Sequence, residues 1–305
     1  MSGADRIAAG GVTAHENNRP PKIEIHGIER IFLKKNETNG AQESFVALKD
    51  VNLKVESGEF VTVVGPSGCG KSTLLFLLSG LASPSRGEIL INGDKVTGPA
   101  LNCGIVLQGY ALFPWRSVRK NIEFGLELKS VPKKERKEIS DYYINLVDLT
   151  GFENHYPYQL SGGMQQRVAI ARVLAYDPDV LLMDEPFAAV DAQTRETMQD
   201  ELLNIWEKTQ KTIVLVTHNI EEAIGLADRV AVMSRNPGTI RDVVPVNLPR
   251  PRRIGGVRNT PDFQILSHHI WELLQDKGSR GGSGAQSAAV PRVDIGEHIR
   301  DDAVI

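Results

Sequence analysis

A loop suited to holding a phosphate lies at G-P-S-G-C-G-K-S-T, residues 65–73, between an apolar run and a leucine-rich one. Glycines in such a loop let successive backbone N–H groups turn towards an anion, and the N-terminus of the following helix adds its dipole. Lys71 would neutralise charge on the β- and γ-phosphates, and the Ser72 hydroxyl would ligate Mg²⁺. A glycine-rich structural turn is the alternative, which the strand, loop and helix order disfavours. The loop therefore predicts a nucleotide site.

Polar residues that suit phosphate chemistry end three other apolar runs. In V-L-L-M-D-E-P, residues 180–186, Asp184 would hold Mg²⁺ directly or through water, and Glu185 would orient and deprotonate an attacking water. His218 follows T-I-V-L-V-T and is a candidate sensor of the γ-phosphate, and Gln108 follows G-I-V-L and could reach Mg²⁺ or the water. Taken alone, His218 is more typical of a structural residue and Gln108 is a weak signal. The carboxyl edge of an open α/β sheet is where ligands bind, so these ends predict a hydrolytic site.

A second sequence that looks built to hold an anion is L-S-G-G-M-Q-Q-R, residues 160–167, with a serine, two glycines and then a helical run. It raises the question of why one chain needs two such segments.

The elements that would position these residues alternate between strand and helix. Runs 60–64, 179–183 and 212–217 are continuously apolar, as in parallel strands buried on both faces, and a helix carrying Leu74 to Leu81 follows the phosphate loop. Asn-Gly and Pro-Gly turns predict hairpins within 88–96 and 229–240. The fold class is α/β.

Between Gln108 and about Leu174 the pattern becomes helical only, which predicts a helical insertion. Ser117 would cap a first helix, Pro132 would open a second, and a third would follow Ser161 and stop at Pro178. The first helix would carry Val118, Ile122 and Leu126 on its apolar face, and the second Ile139, Tyr142, Tyr143 and Leu146.

Composition limits the class of protein and its compartment. With 305 residues, 41% of them hydrophobic, the chain can bury a full core, and 35 basic against 38 acidic residues give no indication of nucleic-acid binding. There is no apolar run of the ~20 residues that cross a bilayer and no hydrophobic signal core, so the chain is expected in the cytoplasm. Cys69 and Cys103 have no disulfide or metal pattern and are expected to be packing residues.

The two ends of the chain differ from its middle. Residues 1–20 are expected to form a flexible leader, 251–277 an extension with one helix around 262–274, and 278–305 a flexible Gly/Ser-rich tail. Three arginines near 250 are interpreted as a solvated linker, with contact to lipid headgroups as the alternative. They are Arg250, Arg252 and Arg253.

In their order, these motifs resemble those of the ATP-binding subunit of an ABC transporter, over about residues 23–250: the phosphate loop, Gln108, L-S-G-G-M-Q-Q-R, V-L-L-M-D-E-P, A-A-V-D (188–191) and His218. Residues 112–122 and 233–240 are most similar to the importers of nitrate, sulfonates and taurine. The resemblance implies a P-loop NTPase core of the ABC ATPase type with an antiparallel β subdomain and an inserted α-helical subdomain. It places the ATPase domain at 21–250, with the helical subdomain at about 109–175.

The resemblance also implies how ATP and Mg²⁺ are held. Phe32 would stack on adenine, where tyrosine is more usual, and Asp191 would lie in the loop that links two subunits' sites. Val190 and Asn219 stand where leucine and aspartate are common. The phosphates would be held by Gly65, Pro66, Ser67, Gly68, Cys69, Gly70, Lys71, Ser72 and Thr73, and closed from a second subunit by Ser161, Gly162 and Gly163. Magnesium would be held by Ser72, Gln108 and Asp184, and hydrolysis would depend on Glu185, His218, Gln108 and Lys71.

The implied partners are membrane permease subunits, a second copy of the chain and, indirectly, an external solute-binding protein, with no nucleic acid. The chain would lie peripherally at the cytoplasmic face of the inner membrane. The aromatic loop from Tyr110 to Trp115 suits a groove that docks the permease, and a buried core loop is the alternative. Two other functions remain: an exporter or lipid-trafficking ATPase, and a soluble ABC ATPase acting on DNA or ribosomes.

Overall fold

The structure is a computed structural model that describes residues 21–35, 42–100, 102–188 and 191–275. The expected leader, the expected tail from 278 and residues 189–190 of A-A-V-D lie outside the described residues. The strands are β1 (Pro21–Lys35), β2 (Gln42–Glu56), β3 (Phe60–Val64), β4 (Arg86–Ile91), β5 (Asp94–Lys95), β6 (Cys103–Val106), β7 (Val180–Asp184), β8 (Thr212–Thr217), β9 (Arg229–Met233) and β10 (Ile240–Pro245). The helices are α1 (Lys71–Leu78), α2 (Val118–Ile122), α3 (Phe124–Leu128), α4 (Lys133–Leu146), α5 (Gly162–Ala175), α6 (Ala192–Thr209), α7 (Ile220–Leu226), α8 (Ile254–Val257) and α9 (Pro261–Gln275).

Two sheets form the framework. The larger has the order β10-β9-β3-β8-β7-β6, and all of its neighbours pair in parallel except the edge strand β10. The smaller sheet, β2-β1-β4-β5, is antiparallel. Every residue of β3, β7 and β8 is buried, as expected of continuous apolar runs that are covered on both faces. The predicted α/β class, the antiparallel subdomain and both hairpins are confirmed.

The parallel sheet separates two cores, because successive side chains of a strand point to opposite faces. On one face, Ile213 and Leu215 of β8 pack with α5 and α6. On the other face, Val214 and Val216 pack with α1 and the antiparallel sheet. The helix that follows the phosphate loop and the helix that follows L-S-G-G therefore lie on opposite faces of one sheet.

The helical insertion forms as predicted, with two differences. Ser117 accepts a hydrogen bond from the Lys120 N–H (3.4 Å), but the first helix divides at Glu123 into α2 and α3. In α4 the predicted apolar face is wrong for Tyr142, which is 60% exposed, while Ser140 is fully buried. Burial of a serine is tolerated because its hydroxyl bonds to Arg119 (2.9 Å) and Glu123 (3.3 Å).

The helix after the phosphate loop ends earlier than predicted. It stops at Leu78, and Leu81 is outside it and 58% exposed. Gly80, two residues after the end of the helix, has a φ of 72°. A left-handed glycine just beyond the last turn ends a helix without strain.

The C-terminal region packs against the core more closely than its composition suggests. The predicted helix is confirmed as α9, but the short helix α8 precedes it and was not predicted. The interpretation of the arginines as a solvated linker is wrong for two of the three: Arg250 pairs with Asp228 at 2.7 Å, and Arg252 is 5% exposed. Arg252 donates to backbone carbonyls at the end of α7, where a helix leaves acceptors without intrahelical donors. Only Arg253 is exposed.

The structure also bears on the two cysteines and on whether a helix could cross a membrane. Cys69 and Cys103 are free thiols, the first buried and the second half-buried, and burial raises the pKa of both, to about 12 for Cys103. None of the described helices combines the length and apolar character needed to cross a membrane.

Candidate functional site

The phosphate loop connects β3 to α1 in a conformation that requires glycine. Gly68 and Gly70 have φ angles of 76° and 101°, which other residues rarely adopt. A Cβ atom at Gly70 would stand 2.6 Å from Leu48 Cδ2, so there is no space for a side chain either. The loop thus brings backbone amides and the start of α1 to one point, as an anion site needs.

Lys71 begins α1 and is held within this loop. Its ammonium donates to the carbonyls of Gly65 (2.9 Å) and Pro66 (3.2 Å) and lies 3.7 Å from Glu185 Oε1. The side chain is only 5% exposed. A cation is therefore positioned beside both the loop and the acid that ends β7.

Ser72 and Asp184 bring two oxygen groups together at the same place. The Ser72 hydroxyl donates to Asp184 Oδ1 at 3.1 Å, and Asp184 is 8% exposed. Burial raises the pKa of Asp184, and the Glu185 charge raises it further, against the Ser72 hydrogen bond and Lys71. An exposed hydroxyl and a buried carboxylate that face each other fit the oxygen ligands that Mg²⁺ takes.

Glu185 and His218 form the other half of this cluster. His218 Nδ1 lies 3.1 Å from Glu185 Oε2, at the ends of the neighbouring strands β8 and β7. Glu185 has a φ of 43°, and its N–H donates to Val216 O at 3.0 Å. This conformation is uncommon for a residue with a side chain and is held here by the sheet. It places the carboxylate between Lys71 and His218.

Phe32 lies on β1 and is half-buried. The Arg30 guanidinium lies 4.7 Å from the centre of its ring, and Arg30 also donates to Ser83 O at 2.7 Å. One face of the ring is therefore covered by a cation, so a flat ligand would have to stack on the other.

The residues of L-S-G-G lie at the start of α5. The Ser161 hydroxyl accepts from the Met164 N–H at 3.3 Å and caps the helix, and Ser161 and Gly162 are both exposed. Gly163 is buried against α6, where an added Cβ would meet Met198 Sδ at 3.3 Å. The start of α5 therefore presents the Ser161 hydroxyl and the backbone of Gly162 to solvent.

Two predicted site residues stand outside the contacts described so far. Asp191 caps α6 by accepting from the Thr194 N–H (3.0 Å), and this hydrogen bond lowers the pKa of its exposed carboxyl group. Gln108 is exposed in the loop after β6, and within the described part of the chain no hydrogen bond joins it to Ser72 or Asp184.

Glu222 is not among the residues that the sequence predicts for the site, and it lines a small cavity together with His218. It is 4% exposed on the first turn of α7, and the Asn219 side chain caps that helix by accepting from the Glu222 N–H at 3.1 Å. Asn219 therefore caps the helix with a neutral side chain, whereas aspartate would add a negative charge. The local sequence does not distinguish Glu222 from its neighbour Glu221, which is exposed.

A cavity lies where the helical insertion meets the parallel sheet. Its volume is about 310 Å³, and its walls include Ala111, Phe113, Phe124, Arg172 and Tyr176. Arg172 donates to the carbonyls of Tyr110 (3.1 Å) and Ala111 (2.8 Å). The loop that was predicted to dock the permease is therefore partly buried and partly exposed, because Tyr110 is buried while Trp115 is 72% exposed.

The chain is similar in sequence to known proteins. Residues 48–188 match the family model described as ABC transporter. An uncharacterised ABC transporter ATP-binding protein of Methanocaldococcus jannaschii is 50% identical over 256 residues, 84% of this chain and 92% of that protein. A nitrate import ATP-binding protein of Synechocystis is 47% identical over 260 residues, 84% of this chain and 96% of that protein.

Among solved structures, the dimeric ATP-binding cassette MJ0796, bound to ADP and phosphate in a post-hydrolysis state, is 33% identical with a TM-score of 0.64. The match covers 74% of this chain and 100% of that one. The resemblance drawn from the order of the motifs is confirmed, and the chain belongs to the ATP-binding proteins of the ABC transporter family.

Proposed function

We propose that this chain is the ATP-hydrolysing subunit of an ABC importer, which drives uptake of a small anionic or zwitterionic solute such as nitrate, a sulfonate or taurine. One observation carries the hydrolytic part: the groups of Lys71, Ser72, Asp184, Glu185 and His218 meet at one edge of the parallel sheet, within hydrogen-bond or ion-pair distance. Such a cluster suits phosphoryl transfer, in which the protein positions groups and stabilises charge.

ATP would lie between the antiparallel sheet and the phosphate loop. Phe32 would stack on adenine with the ring face that Arg30 leaves open, and the backbone of 65–73 would hold the phosphates. Ser72 and Asp184, joined by Gln108 when its loop moves inward, would hold Mg²⁺. When bound, Mg²⁺ neutralises charge on the β- and γ-phosphate oxygens.

Glu185 would orient the attacking water and take its proton. The strained backbone fixes this carboxylate, and His218 at 3.1 Å holds one of its oxygens. His218 is half exposed, so its other ring nitrogen is available to sense the γ-phosphate. Lys71 would supply positive charge beside the phosphate.

Two copies would complete each ATP site. The loop 65–73 leads into a helix on one face of the parallel sheet, whereas Ser161 begins a helix that packs on the other face. The exposed Ser161 and Gly162 suit the role of closing a site on another copy, with Gly163 setting the packing beneath them. Asp191 would lie in the loop between the two sites.

The permease would dock in the cavity of about 310 Å³ beneath the loop 110–115. Its aromatic walls suit an apolar segment, and Gln108 begins the same loop, so rotation of the helical insertion would move it. We place the ATPase domain at 21–250, its helical subdomain at about 109–175 and the extension at 251–277. The complex would include permease subunits and an external solute-binding protein, with this chain peripheral at the cytoplasmic face of the inner membrane.

The test is ATP turnover by the full chain and by Glu185→Gln. The variant should bind ATP with wild-type affinity, form a stable dimer and lose turnover by about 10²–10⁴-fold, the range for removing a positioned base. Glu221→Gln is the matched control, since Glu221 is an exposed acid that pairs with Arg258 at 3.2 Å. Turnover in Glu185→Gln at the wild-type rate would remove Glu185 from the mechanism, and an inactive wild type would contradict the function. Co-purifying the permease and finding which solute raises turnover would identify the substrate.

A further inference from the structure

Glu222 is a buried acid that is only weakly hydrogen-bonded. It is 4% exposed, and its Oε2 accepts one long hydrogen bond, 3.4 Å from Gln199 Nε2 on α6. Its Oε1 is out of contact with solvent and has no hydrogen-bond partner among the described residues. Burying a carboxyl group in this way costs stability, so a purely structural role does not account for it.

Glu222 borders the hydrolytic cluster through a small cavity. The cavity measures about 40 Å³, enough for a water molecule, and Glu185, Thr217, His218, Arg195 and Glu222 are among its walls. The carboxyl group of Glu222 is therefore connected, through a space large enough for water, to the acid and the histidine that meet at the sheet edge.

The groups that face Glu222 leave it able to exchange a proton near neutral pH. Burial raises the pKa of Glu222 to about 7, and the charge of Glu185 also raises it. The Thr217 hydroxyl, the Arg195 charge and Gln199 lower it, and together they offset only part of the burial. A group with such a pKa is suited to accept and release a proton at the working pH.

We propose that Glu222 is a positioning residue that receives, through water in this cavity, the proton that Glu185 takes from the attacking water. The inference rests on the proposed function. The water oxygen bonds to the γ-phosphorus, and the bond from that phosphorus to the bridging oxygen breaks with its electron pair passing to ADP. The water's proton passes to Glu185 and then to the Glu222 carboxylate, which restores Glu185 as a carboxylate. Glu222 later releases the proton to solvent.

The experiment measures ATP turnover of the full chain at saturating MgATP between pH 5.5 and 9. The wild type should lose turnover on the acid side, as Glu222 becomes protonated. In Glu222→Gln the plateau should fall about tenfold or more, and the loss on the acid side should disappear. Glu221→Gln, one residue away and exposed, should keep the wild-type profile.

A second variant keeps the inference testable if Glu222→Gln folds poorly. Gln199→Met has a similar volume and removes a group that lowers the pKa of Glu222, so the acid side of its profile should move to higher pH. ATP affinity and melting temperature serve as folding controls.

Three results would overturn the inference. The first is a pH profile of Glu222→Gln that equals the wild-type profile. The second is a loss of turnover by the same factor at every pH, so that Glu222→Gln still loses turnover at acid pH, and the third is a profile of Gln199→Met that does not shift. In each of these the wild type is active, so the proposed function stands. An inactive wild type would instead contradict the proposed function and the inference with it.

Discussion

Replacing the buried Arg252 with alanine should lower the free energy of unfolding by about 3–5 kcal/mol. The guanidinium donates five hydrogen bonds to four backbone carbonyls, those of Ile224, Ala227, Val246 and Leu248. These hydrogen bonds join the end of α7 to the segment that follows β10. A buried acceptor without a donor costs roughly 1–3 kcal/mol, so four of them set the upper limit of the loss.

Two effects reduce that limit. Water can enter the space that the side chain leaves and bond to some of the carbonyls. The wild-type arginine also bears a desolvation cost, since burial lowers the pKa of Arg252 to about 10, with the Arg250 charge contributing. The net loss should therefore be well below the sum over the four carbonyls, which gives the stated range.

Urea unfolding followed by circular dichroism measures this loss, and Arg253→Ala is the matched control. Arg253 is the next residue and is exposed, so its replacement should change the free energy of unfolding by less than about 0.5 kcal/mol. Arg252→Lys keeps the charge but not the planar fork, and it should lie between the two. If Arg252→Ala lost under 1 kcal/mol, or as little as Arg253→Ala, the bridging role assigned to the guanidinium would be refuted.

Two other predictions concern the nucleotide site. Ser161→Arg should block dimer formation at saturating ATP without abolishing nucleotide binding to the monomer, because a long side chain would replace the small exposed hydroxyl and fill the space between the two copies. Light scattering that shows a dimer would count against the shared site. Glu222→Gln should gain stability relative to the wild type as pH rises. Between the ordinary pKa of 4.5 and the folded value of about 7, the unfolded wild type releases a proton that the folded form keeps, so the stability contributed by this group is lost over that window. From pH 5 to 8 the difference in unfolding free energy should shift by about 2–3 kcal/mol in favour of the variant, and a constant difference in urea titrations would contradict the burial of this acid.

The sheet and most of the polar cluster at its edge could be predicted because their signals are local. The strands β3, β7 and β8 are continuous apolar runs, and Asp184, Glu185 and His218 directly follow the points where such runs end. Parallel strands have their carboxyl ends at the same edge of the sheet. Residues that follow such strands are therefore predicted to meet there, even when they are far apart in the chain.

The residues that the sequence did not reveal depend on partners distant in the chain. In α4 the buried position is Ser140 and not the expected Tyr142, because Arg119 of α2 and Glu123, between α2 and α3, form hydrogen bonds with the serine hydroxyl. Arg252 is buried because α7 ends with open carbonyls nearby, and Arg253, with the same charge, is not. No local pattern distinguishes these neighbours, since the difference lies in what each meets after folding.

The position of Lys71 indicates how phosphate binding would act on Glu185, the proposed base. The ammonium is shared among the carbonyls of Gly65 and Pro66 and Glu185 Oε1, and the ion pair at 3.7 Å is its longest contact. A γ-phosphate beside the loop offers the ammonium more negative charge than one carboxylate does, so this pair is the contact expected to yield. His218, at 3.1 Å from the other oxygen, would keep Glu185 in place when Lys71 turns to the phosphate. The carboxylate would then lose its neutralising cation only when ATP is present, which would restrict its proposed action as a base to the loaded site.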